Sequence, residues 1–155
     1  DRKSTRLTGV QTCALPISLI RRFHDAVSSG ASVVTIWGSG SPKREFLFVD
    51  DMAAACVYVM NLDKGTYRAH TQPMLGHVNI GSDNEVSIKE LAQLIAEVVG
   101  FKGRIVFDTS RPDGAPRKLL DSGRIHGLGW KAAVGLRSGL EVAYEDFLNS
   151  LVALD

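Results

Sequence analysis

Apolar residues at Leu19, Ile20, Phe23 and Val27 recur at helical spacing and stop at Ser28-Ser29-Gly30, which predicts a helix ended by glycine. Val33–Trp37 is a β-branched run closed by Gly38-Ser39-Gly40-Ser41-Pro42, the pattern of a strand entering a turn. A second apolar run covers residues 45–49. Asp50 or Asp51 then offers a cap for a helix over about residues 52–62. Residues 64–76 read as a loop and residues 78–81 as a brief strand. Ser87-Ile88-Lys89-Glu90 is a capping box, followed by the apolar stripe Leu91, Leu94, Ile95 and Val98 and a stop at Gly100. A strand over residues 104–107, a polar turn at Arg111-Pro112-Asp113-Gly114, a short helix over about residues 121–128 and a closing helix through Leu140, Tyr144, Phe147 and Leu148 complete the pattern. Strands alternating with helices predict an α/β fold, without an internal repeat.

Residues 1–17 have no apolar period of either kind and lack the apolar stretch of a signal peptide. D-R-K-S-T-R-L resembles the in-frame translation of a common sequencing-library adapter, and G-V-Q-T-C-A-L-P-I a translation of its reverse strand. Two such pieces side by side point to an assembly artefact. Arg2, Lys3, Arg6 and Cys13 are therefore set aside with this stretch, and the native unit is expected over residues 18–155.

Composition narrows the function classes. The chain has 155 residues, 45% hydrophobic and 23% charged, with a net charge of +1. That suits one ordinary globular domain and excludes disorder. Near-neutral charge argues against a nucleic-acid or membrane-surface partner, and no apolar run approaches the ~18 residues of a membrane span. Two cysteines make no disulfide scaffold, so a reducing cytoplasm is expected. Cys56, among alanines and valines, reads as a buried packing thiol.

No common catalytic motif is complete. Gly38-Ser39-Gly40 has Lys43 where a dinucleotide loop needs its third glycine. Gly127-Leu128-Gly129-Trp130-Lys131-Ala132 fits the looser form but follows a helical pattern and carries a bulky Trp130. No tyrosine has a lysine four positions later. His24, His70, His77 and His126 are scattered without zinc-like spacing, and no nucleophile elbow occurs, so no metal ligand or triad is assigned. Anion binding is better served. Arg22, Arg44 and the adjacent pair Arg117 and Lys118 lie on three separate segments, and a pyrophosphate wants converging cations with at least one guanidinium. Trp37 offers a flat wall to a sugar or base. Composition by itself favours the plainer reading of solvated basic residues and a core tryptophan.

The segment W-G-S-G-S-P-K-R-E-F-L-F-V-D-D-M-A-A-A closely resembles the GDP-L-fucose synthase family, extended short-chain dehydrogenase/reductases that act on nucleotide sugars. The likeness continues through L-I-R-R-F-H, T-Q-P-M, V-N-I-G, S-I-K-E-L-A-Q-L-I-A-E-V-V-G, the particular run R-P-D-G-A-P-R-K-L-L-D, and L-G-W. It covers essentially everything after Ser18. The resemblance implies the C-terminal substrate-binding portion of a Rossmann-like NAD(P)-binding enzyme, lacking the N-terminal glycine-rich βαβ unit. It implies a homodimeric, cytoplasmic enzyme that uses NADPH to epimerise C3 and C5 of GDP-4-dehydro-6-deoxy-mannose and then reduce C4. The family's reductive Ser-Tyr-Lys set, epimerising Cys and His, and NADP loop would all precede Ser18. No catalytic or cofactor-binding residue is therefore assigned, and Cys13 is not taken for the catalytic thiol. Arg22, Trp37, Arg44 and Asp113 match the family's substrate contacts, with Lys118 a further one. The three cations would neutralise the diphosphate, Asp113 would accept from nucleotide donors, and Trp37 would bound the pocket. Phe48 departs from the family's usual histidine and removes any polar role there. Two alternatives stay open: part of another nucleotide-sugar epimerase or dehydratase, and a stand-alone nucleotide-sugar-binding module. The portion is expected to be inactive alone.

Overall fold

Helix α1 (Val10–Ser29) turns Leu19, Ile20, Phe23 and Ala26 inward, and Gly30 follows it at φ +68°. The computed structural model describes residues 10–152, so Arg2, Lys3 and Arg6 of the stretch expected to be non-native lie outside the described residues. The helix begins before Ser18 and contains Pro16, whose missing N–H removes one helical bond. Leu15 rests against the core.

Strand β1 (Val33–Trp37) pairs in parallel with β4 (Arg104–Asp108), from Val33 opposite Arg104 to Trp37 opposite Asp108. Its alternation sends Val34 and Ile36 into the core and Val33, Thr35 and Trp37 outward. Helix α4 (Ile88–Val99) covers the same side with Leu91, Ala92, Ile95, Ala96 and Val99. Helix α6 (Leu136–Val152) closes the core with Leu140. The three-stranded sheet has β2 (Lys43–Glu45) at its centre, antiparallel to β3 (Glu85–Ser87) and parallel to β5 (Arg117–Lys118).

The capping box forms as expected: Ser87 Oγ accepts from the Glu90 amide at 3.1 Å, and Glu90 returns a bond to the Ser87 amide at 2.7 Å. Gly100 ends α4 in the left-handed region. Ser87→Ala will destabilise the chain by about 1 kcal/mol, read from urea unfolding, whereas Ser87→Asp will restore most of the loss.

Four local expectations are corrected. Residues 64–76 are not all loop: Asp63 accepts from Thr66 and starts α3 (Lys64–His70). Residues 78–81 pair with no strand; Val78 and Ile80 instead pack on a second apolar cluster around Ala55, Ile125 and Trp130. Helix α2 (Val49–Met60) starts three residues early with Phe48 in the cap position, where its ring makes no cap bond and lies against Gly139. Asp51 does not cap it. That carboxylate is 6% exposed and accepts from the amides of Ala133 (3.1 Å) and Val134 (2.9 Å), a tertiary use that satisfies a buried charge. Cys56 is exposed, because Ala55 and not Cys56 is on the inner face of α2.

The remaining element, α5 (Gly123–Gly127), precedes Gly129, at φ +102°, and Trp130, which is buried in the second cluster.

Candidate functional site

Both strands of the parallel pair turn at their carboxyl ends, where open α/β sheets commonly bind ligands. Gly38 donates to the Asp108 carbonyl at 2.9 Å, and the chain then folds back through Gly40 and Pro42 to β2. Gly38 and Gly40 have φ of +86° and +77°, and a β-carbon would strike the Asp113 carboxylate at the first and the Phe107 ring at the second. The turn is thus seated directly on the 112–114 turn.

Asp113 makes that seat. Its Oδ1 accepts from the Ser39 amide at 2.8 Å and its Oδ2 from the Ser39 hydroxyl at 2.7 Å. The Ser39 hydroxyl, then the Ser39 amide, hold its carboxyl below the usual carboxylate range. A depressed carboxyl stabilises the fold above the unfolded-state pKa and loses that contribution as pH falls through its own lower value. The latch will therefore hold at neutral pH and loosen only in acid, below the ordinary carboxylate range. Carboxyl carbon NMR will place Asp113 below the ordinary range, and Ser39→Ala will move it upward. An unchanged titration in that variant contradicts the latch.

All the expected residues but Lys118 meet here. Arg22, Trp37, Arg44 and Asp113 all line one open cavity of about 230 Å³, together with Ile36, Pro112 and Gly114. Arg22 reaches from α1, its Nη1 donating to the Thr35 carbonyl at 2.8 Å. Arg44 projects from β2, its Nη1 donating to the Lys43 carbonyl at 2.6 Å. A β-carbon on Gly114 would lie 3.3 Å from Arg44 Nη2, so the guanidinium rests on the 112–114 turn. Neither arginine pairs with a carboxylate among the described residues. Trp37 is 66% exposed and is not a core residue. Lys118 is not among the lining residues; it pairs in register with Arg44 across β5 and β2 and is exposed.

Two residues were missed from sequence. Ser39 supplies the partner of Asp113, and Arg111 places its guanidinium 5.2 Å from the Trp37 ring centre. The glycine-rich turn hinted at the first, and nothing in the spacing marked the second. Arg117, by contrast, is taken up by Glu85 at 2.6 Å in the three-stranded sheet, which lowers that carboxyl and raises the guanidinium.

A second polar cavity, of about 160 Å³, lies between His77, Asn79, Asp121 and Arg124. Arg124 already donates there to the carbonyls of Leu75 and His77, so its cation closes a loop.

The described residues do not fit a dinucleotide pyrophosphate. The Ser39 amide in the Gly38–Gly40 turn is spent on Asp113, and the Gly127–Gly129 stretch follows a helix and leads into buried Trp130. What converges on the cavity is two guanidiniums, an exposed indole and a carboxylate held below its usual range, a set chemically able to hold an anion.

A model of the NAD dependent epimerase/dehydratase family matches residues 10–81. The chain is 54% identical over 133 residues to GDP-L-fucose synthase of Escherichia coli (strain K12), a match covering 86% of this chain and 41% of that protein. It is 51% identical over 135 residues to putative GDP-L-fucose synthase 2 of Arabidopsis thaliana, covering 87% and 38%. Among solved structures, the GDP-mannoheptose C4 reductase from Campylobacter jejuni with NADP bound superposes with a TM-score of 0.74 at 35% identity, over 86% of this chain and 44% of that one. The chain spans about two fifths of the length of the curated relatives it matches.

Proposed function

We propose that this chain, which belongs to the NAD dependent epimerase/dehydratase family, is the GDP-sugar-binding part of a GDP-L-fucose synthase. The whole enzyme would epimerise C3 and C5 of GDP-4-dehydro-6-deoxy-mannose and reduce C4 with NADPH. The observation that carries the reading is the convergence of Arg22, Trp37, Arg44 and Asp113 on one cavity from α1, the end of β1, β2 and the 112–114 turn. The relatives at 54% and 51% identity support the choice of sugar nucleotide.

Each residue then has a physical task. Arg44 and Arg22 present planar guanidiniums to the diphosphate, where charge-assisted bonds are shorter and roughly twice as strong as neutral ones. Lys118, beside Arg44 in register, adds charge at the margin. Trp37 gives a stacking face, and Asp113 keeps lone pairs for a nucleotide N–H or hydroxyl beyond its Ser39 bonds. These groups bind and orient the substrate. No proton or hydride transfer is assigned to them, and the chain alone is expected to be inactive.

The test sets GDP-mannose against UDP-glucose as thermal protectants, with an NADPH oxidation assay alongside. GDP-mannose will raise the melting temperature, UDP-glucose will do so less, and NADPH will not be consumed. Equal protection by both would favour another nucleotide-sugar epimerase or dehydratase, and turnover by the 155 residues would overturn the assignment.

Three broader parts of the reading follow. Residues 1–17 are foreign to the native protein, which resequencing the source DNA across codons 17 and 18 checks. The intact enzyme is a homodimer. It works in the cytoplasm, a placement favoured by the unpaired Cys56. No helix among the described residues is long and apolar enough to cross a membrane.

A further inference from the structure

Glu45 follows Arg44 on β2, and strand alternation puts the two side chains on opposite faces of the three-stranded sheet. Arg44 lines the cavity, and Glu45 does not. The Glu45 Oε1 accepts from the Asp83 amide at 2.6 Å, just before β3 begins. Its Oε2 accepts from the Leu120 amide at 3.3 Å, just after β5 ends. One carboxylate on the central strand thus ties down both of its neighbours.

The surrounding chain is shaped to that carboxylate. A β-carbon on buried Gly81 would meet the two Glu45 oxygens at 2.5 and 2.8 Å and the Ser122 hydroxyl at 2.6 Å, so the close approach requires glycine. Ser122 is buried and its hydroxyl has no hydrogen-bond partner among the described residues, which leaves a spare donor beside the same carboxylate. Asp83 holds its turn at φ +60°, a region aspartate tolerates, with its own carboxylate on His126 Nδ1 at 2.9 Å. The sheet needs such an anchor. β5 pairs with β2 through Arg117 opposite Lys43 and Lys118 opposite Arg44, and a ladder that short is marginal by itself. β5 also runs on from the 112–114 turn on which the Arg44 guanidinium rests.

We infer that Glu45 is a positioning residue for the diphosphate: by anchoring β3 and β5 from behind, it holds Arg44 on the 112–114 turn with Lys118 at its side. This rests on the proposed function, in which Arg44 meets the phosphates. Loss of the Glu45 carboxylate is therefore felt through Arg44.

Glu45→Gln tests this, because it keeps the size of the side chain but turns an NH2 group towards one of the two amides. In titration calorimetry it will weaken GDP-mannose binding by about tenfold, and by no more than about twofold when Arg44 is already alanine. In the free chain, peptides covering residues 115–121 will exchange their amide hydrogens roughly tenfold faster, while those of α4 will not change. Glu45→Asp, with both oxygens one methylene short of the two amides, will give the same pattern at smaller size and stands in if Glu45→Gln does not fold. Equal losses in the two backgrounds overturn the inference, as does undiminished binding in Glu45→Gln or unchanged exchange at residues 115–121. Faster exchange throughout, α4 included, means general destabilisation and also overturns it. If Arg44→Ala alone leaves GDP-mannose affinity intact, the substrate reading is what fails, and the exchange of residues 115–121 still decides whether Glu45 anchors β5.

Discussion

Alanine in place of Arg44 will weaken GDP-mannose binding roughly ten- to a hundredfold, the effect of losing a hydrogen bond to a charged partner worth about 1.5–3 kcal/mol. Arg44 is half-buried, fixed at one nitrogen by the Lys43 carbonyl, and rests on the 112–114 turn, so its remaining N–H groups are held towards the cavity with little freedom to lose. Arg44→Lys will recover only part of the loss, because an ammonium cannot bond a phosphate in the same bidentate plane. Lys118→Ala, at an exposed position outside the lining, will cost only a few-fold, in keeping with the small worth of exposed charges. Titration calorimetry at fixed ionic strength checks the order Arg44→Ala, Arg44→Lys, Lys118→Ala. Equal losses in all three would mean that only the net charge of the face matters.

Phe23→Ala will destabilise the chain by roughly 3–5 kcal/mol, a large share of the ~5–15 kcal/mol that holds a domain together. Phe23 is fully buried between α1 and α4, and its ring meets Phe101 edge-on at 5.4 Å. Alanine leaves a cavity that rigid neighbours cannot fill. The melting temperature, followed by circular dichroism, will fall by roughly 10 °C or more. GDP-mannose affinity will fall with it, since Arg22 is the next residue and depends on the same helix for its reach into the cavity.

Elements whose signals are local were readable from the chain. Strand β1 has the expected bounds, and α4 has both its box at Ser87 and its stop at Gly100, because each signal is a side chain bonding within one turn. Helix α3 was hidden by Gly65 and by its exposure, although the Asp63–Thr66 bond is as local as the box. Strand β5 is two residues long and exists only through its pairing with Lys43 and Arg44 across the sheet, which no periodicity records. Asp51 shows the same limit: a carboxylate before a helix reads as a cap, and only the tertiary fold brings the amides of Ala133 and Val134 to it. Cys56 misled for a different reason. Its alanine and valine neighbours imply burial, but those on its own side of α2 are exposed as well.

The site was legible in kind and not in arrangement. Residue chemistry offered Arg22, Arg44, Arg117, Lys118 and Trp37 as possible anion and sugar contacts, and the family likeness kept Arg22, Trp37, Arg44 and Lys118 and added Asp113. The meeting of all of these but Lys118 depends on the β1–β4 register, which carries Trp37 to Asp108, and on the Ser39–Asp113 latch between the turns.

Hydrogen exchange of the chain with and without GDP-mannose, read by mass spectrometry, tests the central claim most directly. The account predicts slowed exchange in peptides covering residues 37–44 and 111–118, with little change around His77 and Arg124. Protection centred on His77 and Arg124, or none at saturating ligand, would contradict it.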